Sequence, residues 1–229
     1  MNVLYEDRDL IVCYKPAGLL SAPAPTGGES LMEQIAAYRR ARGESDYVGL
    51  IHRLDSGTSG VILYAKNPKV TPRLCAAVAD HTVCEKRYLA VVQGRPEGTE
   101  GTFVDLLFKD ARANKSYVVQ RPRRGVKEAS LTWRALETVE DAQAGTLTLI
   151  EVTLHTGRTH QIRVQFSSRG LPLLGDRKYG GRSDLCGVAL LSYALTLPHP
   201  TSGRPLTVTA PLPEDYPWHL FSTLPQNPS

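Results

Sequence analysis

The sequence predicts one α+β domain whose mixed, largely antiparallel sheet is flanked by helices, and three observations carry that expectation. Its 229 residues fall between one large domain and two small ones, with no internal repeat and no linker-like stretch dividing them. Helical periodicity is confined to a few short segments. From Lys86 onward, β-branched and apolar runs dominate. Hydrophobic residues make up 41% and charged residues 22% of the chain, a balance that buries a core and argues against disorder.

The elements follow in chain order. Val3–Tyr5 and Leu10–Tyr14 read as short strands around the polar turn Glu6-Asp7-Arg8-Asp9. Lys15-Pro16-Ala17-Gly18 breaks the pattern, and a Pro/Gly-rich loop runs from Ala22 to Gly28. Ser30-Leu31-Met32-Glu33 then has the form of a capping box, in which Ser and Glu each satisfy an orphan N–H at the other's position. Leu31, Ile35 and Tyr38 continue at helical spacing, predicting a helix to about Arg42 that Gly43 ends. Asn67-Pro68 precedes a second helix, Val70 to Asp80, with Leu74 and Val78 on its buried stripe. Strands are expected over Tyr88–Val92, Ala129–Leu136, Thr146–Leu154, Val188–Leu197 and Pro205–Thr209. Thr159–Ser168 reads as a short helix with Thr159 as its N-cap, because Ile162 and Phe166 fall four apart. Residues 1–213 are the expected folded domain, and 214–229 a tail that frays in Pro225-Gln226-Asn227-Pro228-Ser229.

Composition narrows the function classes. No apolar run approaches the ~20 residues of a membrane span, and the first residues lack a basic-then-apolar leader, so a cytoplasmic protein is expected. The four cysteines, Cys13, Cys75, Cys84 and Cys186, are scattered without zinc-ligand spacing, which favours small core residues over a metal site or disulfides. A net charge of +4 suits a phosphate-bearing partner without requiring one.

One string stands apart: His52-Arg53-Leu54-Asp55-Ser56-Gly57-Thr58-Ser59-Gly60, running into the apolar stretch Val61–Ala65. It packs a carboxylate between a cation and a Ser/Thr/Gly turn. An arbitrary Asp in such a turn more often bonds backbone N–H groups. The whole string, however, resembles the H-R-L-D-x-x-T-S-G signature of the RluA family of RNA pseudouridine synthases. Other segments are similar to that family in the same order: Lys15-Pro16-Ala17-Gly18, Lys86-Arg87-Tyr88-Leu89-Ala90, Thr156-Gly157-Arg158-Thr159-His160-Gln161-Ile162-Arg163-Val164, Gly175-Asp176 with Tyr179-Gly180, and His199-Pro200. The resemblance covers nearly the whole chain, Val3 to Pro213.

The resemblance implies a pseudouridine synthase fold over 1–213 and a reaction in which ribose C1′ leaves uracil N1 and joins C5. Nothing is lost and no electrons are exchanged, so no cofactor and no metal are expected, in keeping with the lack of G-x-G-x-x-G or P-loop motifs. It assigns Asp55 as the catalytic carboxylate, acting on the sugar, on the base or on a sugar proton. Arg163 is implied as the cation opposite Asp55, by a charge-assisted pair; from the sequence alone it could equally face solvent on an amphipathic helix. Tyr88 is implied to stack on the target uracil, against the commoner fate of a strand tyrosine in the core. Arg53 is implied to fill the gap left by the flipped base, and His52 reads as a structural hydrogen-bonding residue.

RNA, ribosomal or transfer, is the implied partner, with no protein partner and a monomer expected. Arg121, Arg123, Arg124 and Lys127 are the favoured phosphate contacts, because Pro122 and Gly125 make a loop of them. Arg39, Arg40 and Arg42 form a second cluster that reads equally well as a solvated helix end. Gln165 and Ser192 stand where the family usually has histidine, leaving the substrate identity open. The motifs begin near residue 5, so an S4-like RNA-binding module is not expected. Two rival readings remain: a glycosidic hydrolase, which needs a second carboxylate for which Asp176 is the nearest candidate, and a non-catalytic RNA-binding factor.

Overall fold

The structure, a computed structural model, describes residues 1–25, 27–182 and 184–225. Among these, the chain runs β1 (Asn2–Glu6), β2 (Leu10–Lys15), α1 (Leu31–Ala41), β3 (Gly49–Leu50), β4 (Ser59–Ala65), α2 (Thr71–Ala79), β5 (Glu85–Gln93), β6 (Glu100–Asp110) and β7 (Lys115–Val119). It continues through β8 (Val126–Asp141), β9 (Gly145–Leu154), α3 (Gln161–Ser167), β10 (Leu190–Pro198) and β11 (Pro205–Thr209), with single 3-10 turns at Arg177–Tyr179 and Trp218–Leu220. This is the expected α+β class. The contacts group into two compact units, residues 1–86 with 192–211 and residues 87–191 with 212–229. Strands β5 and β10 carry the chain from one to the other.

In the first unit the strand order is β1-β2-β4-β10, with β11 on β10 and β3 on β4. The pairs β1–β2, β2–β4, β3–β4 and β10–β11 are antiparallel. Leu10–Cys13 of β2 and Val61–Ala65 of β4 are fully buried, which explains why both segments read as continuous apolar runs rather than alternating ones: they are central strands covered on both faces. Helix α1 begins with the capping box the sequence announces, Ser30 with Glu33, and buries Leu31 and Ile35; α2 buries Leu74 and Val78.

In the second unit the order is β5-β9-β8-β6-β7, and the pairs β5–β9, β8–β9, β6–β8 and β6–β7 are antiparallel. Helix α3 is held to this sheet by an aromatic cluster, with Phe166 edge-on to Phe103 at 5.1 Å and to Trp133 at 6.3 Å. Beside it Leu107, Ala129, Val164 and Tyr179 form a second buried group.

Three expectations are corrected. Strands β6 and β7 lie outside the expected set, because charged residues interrupt their apolar positions. The N-cap of α3 is His160 in the left-handed region (φ 55°), not Thr159. The side chain of Gln161 accepts from Thr156 Oγ1 at 2.7 Å and from the Arg158 N–H at 3.0 Å, while the Thr159 carbonyl accepts from Ser116 Oγ at 2.7 Å, so the chain must turn one residue later. The stretch from 214 to 225 is packed on the second unit, with Trp218 and Phe221 buried. The expected fraying at 226–229 lies outside the described residues.

Candidate active site

Arg53 and Asp55 belong to the first unit, and Tyr88, Arg163 and the basic loop to the second. The loop before β4 is pinned at every second residue. His52 Nε2 accepts the Leu63 N–H at 3.1 Å. The Ser21 hydroxyl accepts the Leu54 N–H at 3.0 Å and donates to the Leu54 carbonyl at 2.8 Å, while Tyr64 holds the Ser21 carbonyl at 2.6 Å. The Ser56 carbonyl accepts from Lys15 Nζ at 3.1 Å and from the Gly18 N–H at 2.8 Å. Residues 52, 54 and 56 are thus anchored, and between them Arg53 is exposed and Asp55 half-buried. A turn closed by Thr58 N–H on the Asp55 carbonyl at 3.0 Å leads into β4.

Lys15 is the deepest anchor. It is fully buried, and its ammonium also donates to the Pro16 and Leu19 carbonyls at 3.0 and 2.8 Å, so its three N–H groups each have an acceptor. Burial pulls its pKa down to about 8, against the pull of Asp55 in the other direction. His52 is pushed down to about 3, chiefly by burial and further by the positive charge of Lys86. It is therefore neutral and hydrogen-bonded, as the sequence reading has it. Gly60 has φ 111°, and a Cβ there would lie 2.1 Å from the Ser192 carbonyl oxygen, which explains the glycine of the Thr58-Ser59-Gly60 string. Ser192 is itself buried and donates to the Val61 carbonyl at 3.0 Å.

In the second unit Tyr88 is a buried residue of β5 opposite Val152 of β9. Arg163, on α3, is 7% exposed, and its Nε and one terminal nitrogen donate to the two oxygens of Asp176 at 2.6 and 2.7 Å. Asp176 is wholly buried, and the Tyr179 ring centroid lies 5.2 Å from the guanidinium carbon. A carboxylate sealed from solvent and clamped by a guanidinium is in no position to protonate a leaving group, so the second carboxylate a glycosidic hydrolase needs is not supplied by Asp176. Gln165, also fully buried, donates to Asp105 at 2.7 Å, and Asp105 takes Arg169 as well at 2.9 Å.

Arg121, Arg123, Arg124 and Lys127 are all exposed, the three arginines in the β7–β8 connection and Lys127 as the second residue of strand β8. Arg123 stacks over the Phe108 ring at 4.5 Å. The second cluster behaves differently. Arg39 is buried, donates to the Tyr47 and Lys66 carbonyls, and pairs with Glu44 at 3.2 Å. Arg40 faces Asp46 at 3.4 Å and Arg42 faces Glu44 at 3.2 Å. Arg39 is thus committed to closing a helix end, whereas Arg40 and Arg42 are exposed and paired with carboxylates at the surface. Sequence reasoning gives no role to Lys15 or Ser21, and names Asp176 only in a family-like motif and as a rival hydrolase's carboxylate; Lys15 also lies in a family-like motif, and Ser21 gives no signal.

A family model described as RNA pseudouridylate synthase matches residues 9–168. The chain belongs to the RNA pseudouridylate synthase family. Relatives agree: an uncharacterized RNA pseudouridine synthase of Bacillus subtilis, YlyB, is 37% identical over 223 residues, covering 94% of this chain and 70% of its own. The ribosomal large subunit pseudouridine synthase D of Zymomonas mobilis is 32% identical over 230 residues, again covering 94% and 70%. In fold, this pseudouridine synthase is similar to human RNA pseudouridylate synthase domain containing 4, with a TM-score of 0.73 at 22% identity over 93% of this chain and 88% of that one. As an RNA pseudouridine synthase, the protein is an isomerase acting on RNA. No helix among its described residues is long and apolar enough to cross a membrane.

Proposed function

We propose that this RNA pseudouridine synthase converts uridines of structured ribosomal or transfer RNA with Asp55 as the catalytic carboxylate, Arg163 as its countercharge and Tyr88 as the residue stacked on the uracil. It works as a cytoplasmic monomer without cofactor or metal. The observation that carries this reading is the pinning of residues 52, 54 and 56, which presents Asp55 from a loop that cannot slide. The C1′–N1 bond breaks with assistance from the carboxylate, the base turns, C1′ bonds to C5, and the C5 proton leaves while N1 gains one. Tyr88 sits on a buried strand, a rigid support for stacking.

Arg53, exposed beside Asp55, enters the stack vacated by the flipped base, whose extrusion costs a few kcal/mol. Arg121, Arg123, Arg124 and Lys127 contact phosphates. The relative named for the large ribosomal subunit makes that RNA the first to assay. Asp55→Asn is expected to abolish tritium release from RNA labelled at uracil C5, with thermal stability and RNA affinity retained. Release from the Asn variant at the wild-type rate would remove Asp55 from the mechanism.

A further inference from the structure

We propose that Asp176 is a positioning residue for Arg163, acting on the reaction through the guanidinium it holds; this rests on the reading of Arg163 as the countercharge of the catalytic carboxylate. Arginine has five N–H donors in a rigid plane. Asp176 takes Nε and one terminal nitrogen, at 2.6 and 2.7 Å, which restrains rotation about Cδ–Nε, the last rotatable bond of the side chain, and fixes the plane in which the remaining N–H groups lie. The Tyr179 ring covers the guanidinium, its centroid 5.2 Å from the carbon. That ring is itself tied down: its hydroxyl accepts the Ser116 N–H at 2.8 Å and bonds His160 Nδ1 at 2.9 Å.

The backbone around Asp176 is equally constrained. A Cβ on Gly175 (φ 79°) would lie 1.9 Å from the Gly187 carbonyl oxygen, and one on Gly181 would lie 2.0 Å from that of Leu173. The Tyr179 and Gly181 N–H groups both donate to the Asp176 carbonyl, at 3.1 and 2.8 Å. The whole Gly175-Asp176…Tyr179-Gly180 segment therefore serves to hold one carboxylate and one ring against one guanidinium. Stability alone is a poor reason for such an arrangement, because a buried ion pair is often matched or bettered by apolar residues of the same volume. Alignment to within an ångström is a better one, since a misplacement of that size costs a rate about 100-fold.

The test is a cycle of Asp176→Asn, Arg163→Lys and the double variant. It is read as single-turnover tritium release from total RNA of cells lacking the gene, labelled with 5-tritiated uridine, alongside RNA affinity and thermal melting. Asp176→Asn is expected to slow release about 100-fold with RNA affinity unchanged, and to add little in the Arg163→Lys background, because both act through one group. Multiplicative losses in the double variant, or a wild-type rate in Asp176→Asn, overturn the role of Asp176. Should the Asn variant fail to fold, Asp176→Glu keeps the charge and shifts the guanidinium; it too should lose rate and keep affinity, and a wild-type rate in it overturns the proposal. Silence from the wild-type enzyme strikes the functional reading itself, and the role of Asp176 with it.

Discussion

His52 shows how a residue inside the signature string can serve the loop itself, through one hydrogen bond. Its Nε2 accepts the Leu63 N–H, which only the neutral ring can do. Its folded pKa of about 3 lies below the ordinary 6.5, so between those values the unfolded chain binds the proton that the folded chain refuses. Stability must then fall as pH drops through that window, by up to about 1.4 kcal/mol per pH unit. The comparison is cleanest between pH 6.5 and 5, above most carboxylate titrations. His52→Gln keeps an acceptor without a proton to gain, so its denaturation midpoint should vary less with pH there; equal slopes for variant and wild type would exclude His52 as the source. Residue scale is also where the sequence is most and least informative. Asp55 and its neighbours are legible because nine consecutive residues follow a signature. The Arg163–Asp176 pair is not, because nothing in periodicity or spacing says which carboxylate a turn will bring beneath a helix.

Elements are legible where one periodicity rules. Helix α1 carries its own start signal in Ser30 and Glu33, and β2 and β4 announce themselves as unbroken apolar runs. The β6–β7 hairpin escapes because Asp105 and Lys109 break its apolar pattern, and only the structure shows Asp105 to be paired with Arg169 and Gln165. That hairpin matters for the loop that follows it. Arg121, Arg123 and Arg124, with Lys127 just beyond, hang from a strand pair, and Arg123 lies on the Phe108 ring of β6, which orients the connection without consuming its charge. Replacing all four by alanine should weaken RNA binding and flatten its dependence on salt, by about 0.7 to 0.9 in logarithmic slope for each phosphate no longer neutralised. Single-turnover release at saturating RNA should be little altered. Binding titrations across a salt series check this, and an unchanged slope would mean that these cations do not meet phosphates.

At the scale of the whole molecule the class is legible but the partition is not. Composition and strand density point to one α+β domain, which the fold bears out; its grouping into two compact units is not readable, because β5 and β10 each begin in one unit and end in the other and leave no linker. Proline content likewise disguises the last segment as a tail. In the structure Trp218 and Phe221 are 6% and 5% exposed. The Glu137 carboxylate on β8 accepts the Ser222 and Thr223 N–H groups at 2.7 and 2.9 Å. Burial works against its charge, but those hydrogen bonds outweigh it and hold Glu137 below the ordinary carboxylate range. A frayed end has neither buried rings nor a carboxylate cap of this kind, so the segment is a structural part of the second unit. Trp218→Ala should accordingly lower unfolding stability by about 3–5 kcal/mol, the usual cost of emptying a buried aromatic site, whereas substitutions in an exposed tail stay within about 0.5 kcal/mol. Urea denaturation monitored by circular dichroism separates the two, since a loss of unfolding free energy below about 0.5 kcal/mol would return residues 214–225 to the status of an appendage.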